Sequence, residues 1–221
     1  MKNIIYPLIL ISLMTACKKK EVLPNIPIPL LTAEQIANAH GFEQWKNVSE
    51  IAYTFNVDKN NKHFERHWVW KPKTNDVTFM SETDTISYNR SKLDSVSMII
   101  DRNFINDKFW LLIPFQLVWD TGTTILKPIK TKTEISHEVL NKITLIYSKN
   151  GGYTPGDAYD IFYDDNFLIK EWIYRKGNRP KPSMTTTFEN YQDFNGITLA
   201  LEHKKRRGNW NLYFTNVSIT K

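Results

Sequence analysis

Cysteine is nearly missing from this 221-residue chain: Cys17 stands alone. One thiol supports neither a disulfide framework nor a cysteine-based metal cluster. Long apolar runs are missing too. After Met14 no stretch approaches the roughly 20 residues that a membrane-spanning helix needs. Glycine is sparse, eight in all, and nowhere takes the spacing of a phosphate-cradling loop or dinucleotide fingerprint. Ser148 and Ser183 lack the flanking glycines of a nucleophile elbow. His63 and His67 lie four apart in a predicted strand, hence on one face but about 13 Å apart, too far to share a metal. His40 reads as a helix-end residue facing the C-terminal dipole; His137 and His203 complete no ligand set. Asp157, Asp160, Asp164 and Asp165 form the one acidic cluster, without the spacing of a calcium loop, and read as a solvated hairpin end. No cofactor, no metal and no enzymatic activity are implied. The formal net charge is +6, with no nucleic-acid motif beside it.

What is present begins at the N-terminus. Lys2 precedes an apolar run from Ile4 to Met14, and Thr15-Ala16-Cys17 follows. That run has the length of a signal-peptide core and is too short to cross a bilayer. Leu13-Met14-Thr15-Ala16-Cys17 resembles the lipobox of bacterial lipoproteins. The resemblance implies a removable signal at residues 1–16 and a diacylglycerol on Cys17. Lys18, Lys19 and Lys20 would then lie against lipid phosphates, at about 1 kcal/mol each. Two or three acyl chains give stable anchoring where one is reversible. Lys18 after the cysteine is no inner-membrane retention signal, which favours the outer membrane.

Residues 17–30 read as a tether, because Pro24, Pro27 and Pro29 preclude a helix. One domain is expected over residues 31–221, as a monomer. Thr32 opens a helix in a capping box with Gln35, which stops at Gly41. The hydrophobic period then becomes two. Ile51, Tyr53, Phe55 and Val57 alternate with polar residues, and Phe64, Arg66, Trp68 and Trp70 do so in the next strand. Turn clusters at 58–62, 72–75 and 81–84 predict an antiparallel meander. Residues 91–119 break the rhythm around Pro114. They read as one or two short helices over an open sheet face, either a core plug or a mobile lid. Strands resume at 123–129, 131–135, 143–147, 159–163, 168–175, 184–191, 197–203 and 209–219. The basic run Lys204-Lys205-Arg206-Arg207 falls at a hairpin turn beside Trp210. There it serves as solvation and edge protection or touches phosphate or lipid headgroups.

Several segments together resemble a family of uncharacterised bacterial lipoproteins. They are Ala39-His40-Gly41 with Trp45, His67-Trp68-Val69-Trp70 before Pro72-Lys73-Thr74-Asn75, Phe104-Ile105-Asn106-Asp107 before Trp110-Leu111-Leu112-Ile113-Pro114, and Phe188-Glu189-Asn190-Tyr191 before Phe194-Asn195-Gly196-Ile197. The order of elements is more distantly similar to the lipoprotein-localisation factors LolA and LolB. That similarity implies a mostly β fold: a curved antiparallel sheet, an incomplete barrel, closed by short helices, with an apolar concave face able to hold acyl chains. LolB carries a lipid anchor and LolA does not, which makes LolB the nearer analogue. No functional LolB loop residue maps onto this chain.

The candidate ligand-binding rings are Trp68, Trp70, Phe79, Trp110, Phe115, Trp119 and Trp172, each burying on the order of 150–250 Å². Two functions are expected from this pattern. One is a non-enzymatic, membrane-anchored module holding a lipid or other hydrophobic ligand in the half-barrel. The other is an envelope structural or interaction lipoprotein with a filled core.

Overall fold

A computed structural model of the chain describes residues 31–221. The expected signal at 1–16, Cys17 and the expected tether at 17–30 lie outside the described residues. The chain opens with α1 (Thr32–Ala39) and a 3-10 turn (Phe42–Asn47). A meander follows: β1 (Glu50–Lys59), β2 (Lys62–Lys71), β3 (Asp76–Met80) and β4 (Thr85–Asn89). After α2 (Ser95–Trp119) come β5 (Thr123–Ile125), β6 (Ile129–Lys132), β7 (Val139–Tyr147), β8 (Ala158–Tyr163) and β9 (Ile169–Arg175). The last strands are β10 (Met184–Thr187), β11 (Glu189–Asp193), β12 (Thr198–Lys204) and β13 (Trp210–Thr220).

One sheet runs β11-β12-β13-β1-β2-β3-β4, the other β10-β9-β8-β7-β5 with β6 also on β7. Only Phe188 separates β10 from β11, so one extended segment passes from sheet to sheet. His203 Nδ1 donates to the Thr187 carbonyl (3.1 Å), and the Lys204 N–H donates to Thr187 Oγ1 (3.0 Å). These bonds tie β12 to β10 across the junction. The result is a mostly β, antiparallel, curved sheet that does not close into a barrel.

α2 fills the concave side. Its Phe104 ring packs on Trp68 (5.4 Å between centroids) and Trp70 (5.6 Å) of β2. Phe109 meets Tyr159 of β8 (5.2 Å), and Trp110 meets Trp172 of β9 (4.5 Å) and His203 of β12 (5.3 Å). One helix therefore touches both sheets, and Phe109 through Leu117 is an unbroken buried run. Each fully buried Leu, Ile or Phe there contributes about 1.5–3 kcal/mol.

The expected one or two short helices are, in the structure, two helical stretches of α2 that meet at a kink at Leu112 (φ −114°, ψ 24°) and together run from Ser95 to Trp119, longer than expected. Pro114 lacks the N–H that would bond the Trp110 carbonyl, which bends the helix locally. Packing on both sides holds the two halves together. Asp94 caps the start by accepting from the Ser97 N–H (2.8 Å), while Ser97 Oγ accepts from the Asp94 N–H (2.8 Å). At α1 the expected Thr32 cap is replaced. Leu31 is the flanking residue, and its N–H donates to Glu34 Oε2 (3.0 Å). Residues 184–191 are not one strand, because the chain changes sheet at Phe188. Residues 123–129 and 131–135 become the short β5 and β6, both on β7.

Gly41 ends the first helix with φ +86°, and a Cβ there would sit 1.9 Å from the Gly196 carbonyl oxygen. The β11–β12 turn thus presses directly on the end of α1, and the Thr198 N–H donates to the His40 carbonyl (3.1 Å).

Candidate functional site

A cavity of about 230 Å³ remains between α2, strands β8 to β10 and the loop 148–157. α2 contributes Asn106, Phe109 and Trp110 to its wall; β8 and β9 contribute Tyr159, Trp172 and Tyr174; β10 contributes Met184; the loop adds Tyr153 and Thr154. The strand residues share one face because they lie two apart, Trp172 with Tyr174, and because Tyr159 pairs with Tyr174 across β8 and β9.

The wall is aromatic and uncharged. Tyr153 stacks on Phe109 (3.8 Å, 11°) and donates to Asn106 Oδ1 (3.1 Å). Its loop therefore covers the cavity as a strap held by one ring and one hydrogen bond. Thr154 Oγ1 bonds the Tyr159 hydroxyl (3.1 Å), and the Tyr174 hydroxyl donates to Asp157 Oδ2 (2.8 Å). Burial pushes the Tyr153 and Tyr159 phenols well above their usual range. Tyr174 is pushed up to about 12, by burial first and then by Asp157. All three stay neutral. The Trp172 indole N–H, in the same wall, has no hydrogen-bond partner.

The seven rings singled out in the sequence do not gather in one place. Trp110 and Trp172 line the cavity. Trp68 and Trp70 pack with Phe104, and Phe79 lies 5.0 Å from Trp68. Phe115 and Trp119 pack with Trp45 and Phe42 at the 3-10 turn (4.9–6.1 Å). Cys17 lies outside the described residues. Sequence reasoning passed over Phe109, Tyr153, Tyr159 and Tyr174. The signal for two of them was present: Tyr159 and Tyr174 fall in predicted strands, Tyr174 two residues from Trp172.

Beneath the apolar lining, α2 carries three buried charged groups. Asp107 is fully buried and accepts from Arg66 Nε and Nη2 (2.6 Å each) and from Trp68 Nε1 (2.9 Å). Burial raises its carboxyl pKa, and the Arg66 fork opposes the rise. Asp101 holds Arg90 (2.8 Å) and the Tyr88 hydroxyl (3.1 Å). Lys108 lies over the Trp70 and Trp119 rings (5.4 and 5.5 Å), and burial lowers it to about 8. Gln116 lies between it and Asp120, and with its amide oxygen turned to Lys108 it accepts from Nζ (2.9 Å) and donates to Asp120 Oδ1 (2.8 Å). These groups fix the helix to the sheet.

The acidic cluster is dispersed. Asp160 is buried, holding Arg175 (2.9 Å) and Thr144, and Asp157 is buried with Tyr174 and the Gly177 N–H. Neither is solvated as expected. Asp164 accepts from the backbone of its own turn, at Asn166 and Leu168. His63 and His67 each reach Glu65, which lies between them (3.3 and 3.2 Å). Among the described residues no group of three His, Cys, Asp or Glu side chains is placed to hold a metal. No described helix is long and apolar enough to cross a membrane.

No family's sequence profile matches the chain, and no curated protein matches it by sequence. Solved structures do match. A LolA superfamily protein from Nitrosomonas europaea superposes with a TM-score of 0.50 at 10% identity, over 87% of this chain and 95% of that one. A DUF1329 family protein from Desulfovibrio piger gives 0.48 at 10% identity, over 85% and 91%. A putative outer membrane lipoprotein-sorting protein domain from Vibrio parahaemolyticus gives 0.45 at 10% identity, over 86% and 94%. The likeness to the first is one of fold: the chain has a LolA-like architecture, a curved antiparallel sheet around a central helix.

Proposed function

We propose that this chain is a non-enzymatic envelope lipoprotein, anchored through acyl groups on Cys17, whose domain holds the apolar part of a ligand in the cavity beside α2. The aromatic, uncharged wall of that cavity carries the reading. Such a surface favours hydrocarbon and excludes an unpaired charge, while Asn106 and Thr154 supply the few polar contacts that orient a guest. The LolA-like fold supplies the half-barrel frame. The signal-like run before Cys17 and the three lysines after it support the anchor, and a place in the outer membrane.

Native mass spectrometry of protein extracted gently from membranes tests the cavity. The expected result is a population carrying a lipid-sized adduct that organic extraction removes. Protein that emerges bare and takes up no alkyl probe overturns the reading. For the anchor, a clickable fatty acid fed to cells should label the natural protein and leave Cys17→Ala unlabelled and unprocessed; equal labelling of both removes the anchor from the argument.

A second reading is favoured by α2 itself, which fills most of the concave face. On that reading the chain is a structural or interaction lipoprotein that works through its surface. In-cell crosslinking should then recover a partner protein while the cavity stays unfilled.

A further inference from the structure

Five cations gather at one end of the sheet. Lys59 and Lys62 sit on the β1–β2 turn, and Lys205, Arg206 and Arg207 on the β12–β13 turn. Pairing of β1 with β13 sets Lys59 opposite Trp210. Asn209 Nδ2 donates to Asn61 Oδ1 across the two turns (3.4 Å). Lys204 is neutralised by Glu202 (2.8 Å) and Glu189 (3.0 Å). Among the described residues, none of the other five lies within ion-pair distance of a carboxylate. Lys205 Nζ stands 4.6 Å from the Trp210 ring, and its pKa is lowered by partial burial and then by Lys59. Like charges gathered without counter-ions repel and cost stability. An anion bound between them relieves that cost.

The cavity wall is joined to this end of the sheet through β10 and through Trp110. Lys204 is bonded to Thr187, three residues along β10 from Met184 in the cavity wall. Met184 pairs with Tyr174, also in the wall. The strap 148–157 joins β7 to β8, and Ala158 just after it opposes Arg175. Trp110 joins the two features: it lines the cavity, and its ring lies 6.1 Å from that of Trp210. A second hollow, also about 230 Å³, lies beside Trp210 under Lys205 and Gly208. An uncharged aromatic hollow thus adjoins a cationic one across a pair of indoles.

We propose that the ligand is an anionic amphiphile, with its tail among the rings of the aromatic cavity and its phosphate or carboxylate head on the basic rim of Lys205, Arg206 and Arg207. This rests on the cavity reading above and adds the head. Charge-assisted contacts to an anion are about twice as strong as neutral ones and are weakened by salt. Head selectivity therefore belongs to the rim and tail affinity to the cavity.

The test uses four probes with one eight-carbon tail: octyl phosphate, nonanoate, octyl glucoside and octyltrimethylammonium. Binding to residues 18–221, which keep every residue of the described core, is followed by tryptophan fluorescence, since Trp110 and Trp172 line the cavity. The expected result is at least tenfold tighter binding of an anionic probe than of octyl glucoside. That preference should shrink as salt rises. The triple variant Lys205→Gln/Arg206→Gln/Arg207→Gln should lose it while binding octyl glucoside as before and melting at an unchanged temperature. Octyl phosphate leading nonanoate marks a phosphate-bearing lipid as the source; the reverse order marks a free fatty acid. Four heads bound alike, or a preference that survives the triple variant, overturns the rim and leaves the cavity reading standing. If no octyl probe binds, the cavity reading fails and the rim proposal falls with it.

Discussion

His40 and His203 each bury an imidazole with one nitrogen satisfied and the other without a partner. His40 Nδ1 donates to the Ile36 carbonyl (2.8 Å) and His203 Nδ1 to that of Thr187 (3.1 Å). Both Nε2 atoms are buried and unpaired. Burial lowers both from 6.5 to about 4, against smaller upward pulls from their carbonyl bonds to Ile36 and Thr187 and, weaker still, from Asp164 on His40 and Glu189 on His203. The rings are neutral when folded and take up a proton more readily when unfolded. Their contribution is therefore complete above pH 6.5 and drains away as pH falls toward 4. At pH 5 each costs on the order of 2 kcal/mol. Urea unfolding at pH 7 and pH 5 should show that loss, and His203→Phe should remove about half of the pH dependence whatever it does to stability at pH 7. An unchanged slope would sink the assignment. In the sequence His40 was readable as a helix-end residue and is one, but its burial depends on the β11–β12 turn pressing on Gly41. The Arg66–Asp107 pair was not readable: 41 residues separate its members. The one local hint was Asp107-Lys108 interrupting an apolar stretch, where a charge has to find a partner.

The meander of β1 to β4 follows directly from its period-two pattern and turn residues, so those strands were legible almost to their ends. α2 was legible only in part. Pro114 and the mixed composition of residues 91–103 argued for broken pieces, and only contacts with both sheets hold the pieces in one element. Asp94-x-x-Ser97 was a start signal that local reading passed over. The depth of packing answers whether this segment is plug or lid. Phe104, Phe109, Leu112, Ile113 and Phe115 are all at most 1% exposed, so lifting the helix would expose the core of both sheets. In native-state hydrogen exchange, amides from Phe104 to Leu117 should open only with global unfolding, whereas those of the strap 148–157 should exchange far sooner. A fast-exchanging 104–117 segment would restore the lid. Leu112→Ala, with no room for the sheet to collapse, should cost about 2–5 kcal/mol in urea.

An incomplete barrel leaves an apolar concave face that has to be covered, and here a protein helix covers most of it. Alternation and ring count in the sequence indicated the curved sheet. They did not say how much of its interior stays open, because that depends on which way a 25-residue helix turns its bulky side. The open remainder sets a length scale. A methylene takes about the space of a water, on the order of 30 Å³, so the 230 Å³ cavity accepts roughly eight carbons. Across a series of alkyl ligands sharing one head, affinity should rise about fourfold per carbon, the worth of roughly 0.8 kcal/mol per buried methylene. It should level off near eight carbons, because further ones have only solvent or packed helix to meet. Trp110→Ala trims the cavity lining on the side facing Trp210 and should move the plateau to longer tails, at about 3–5 kcal/mol of stability. Affinity that keeps climbing to sixteen carbons in the unaltered protein would mean that α2 gives way to the ligand. The concave face would then be the binding surface, and the aromatic cavity only its entrance.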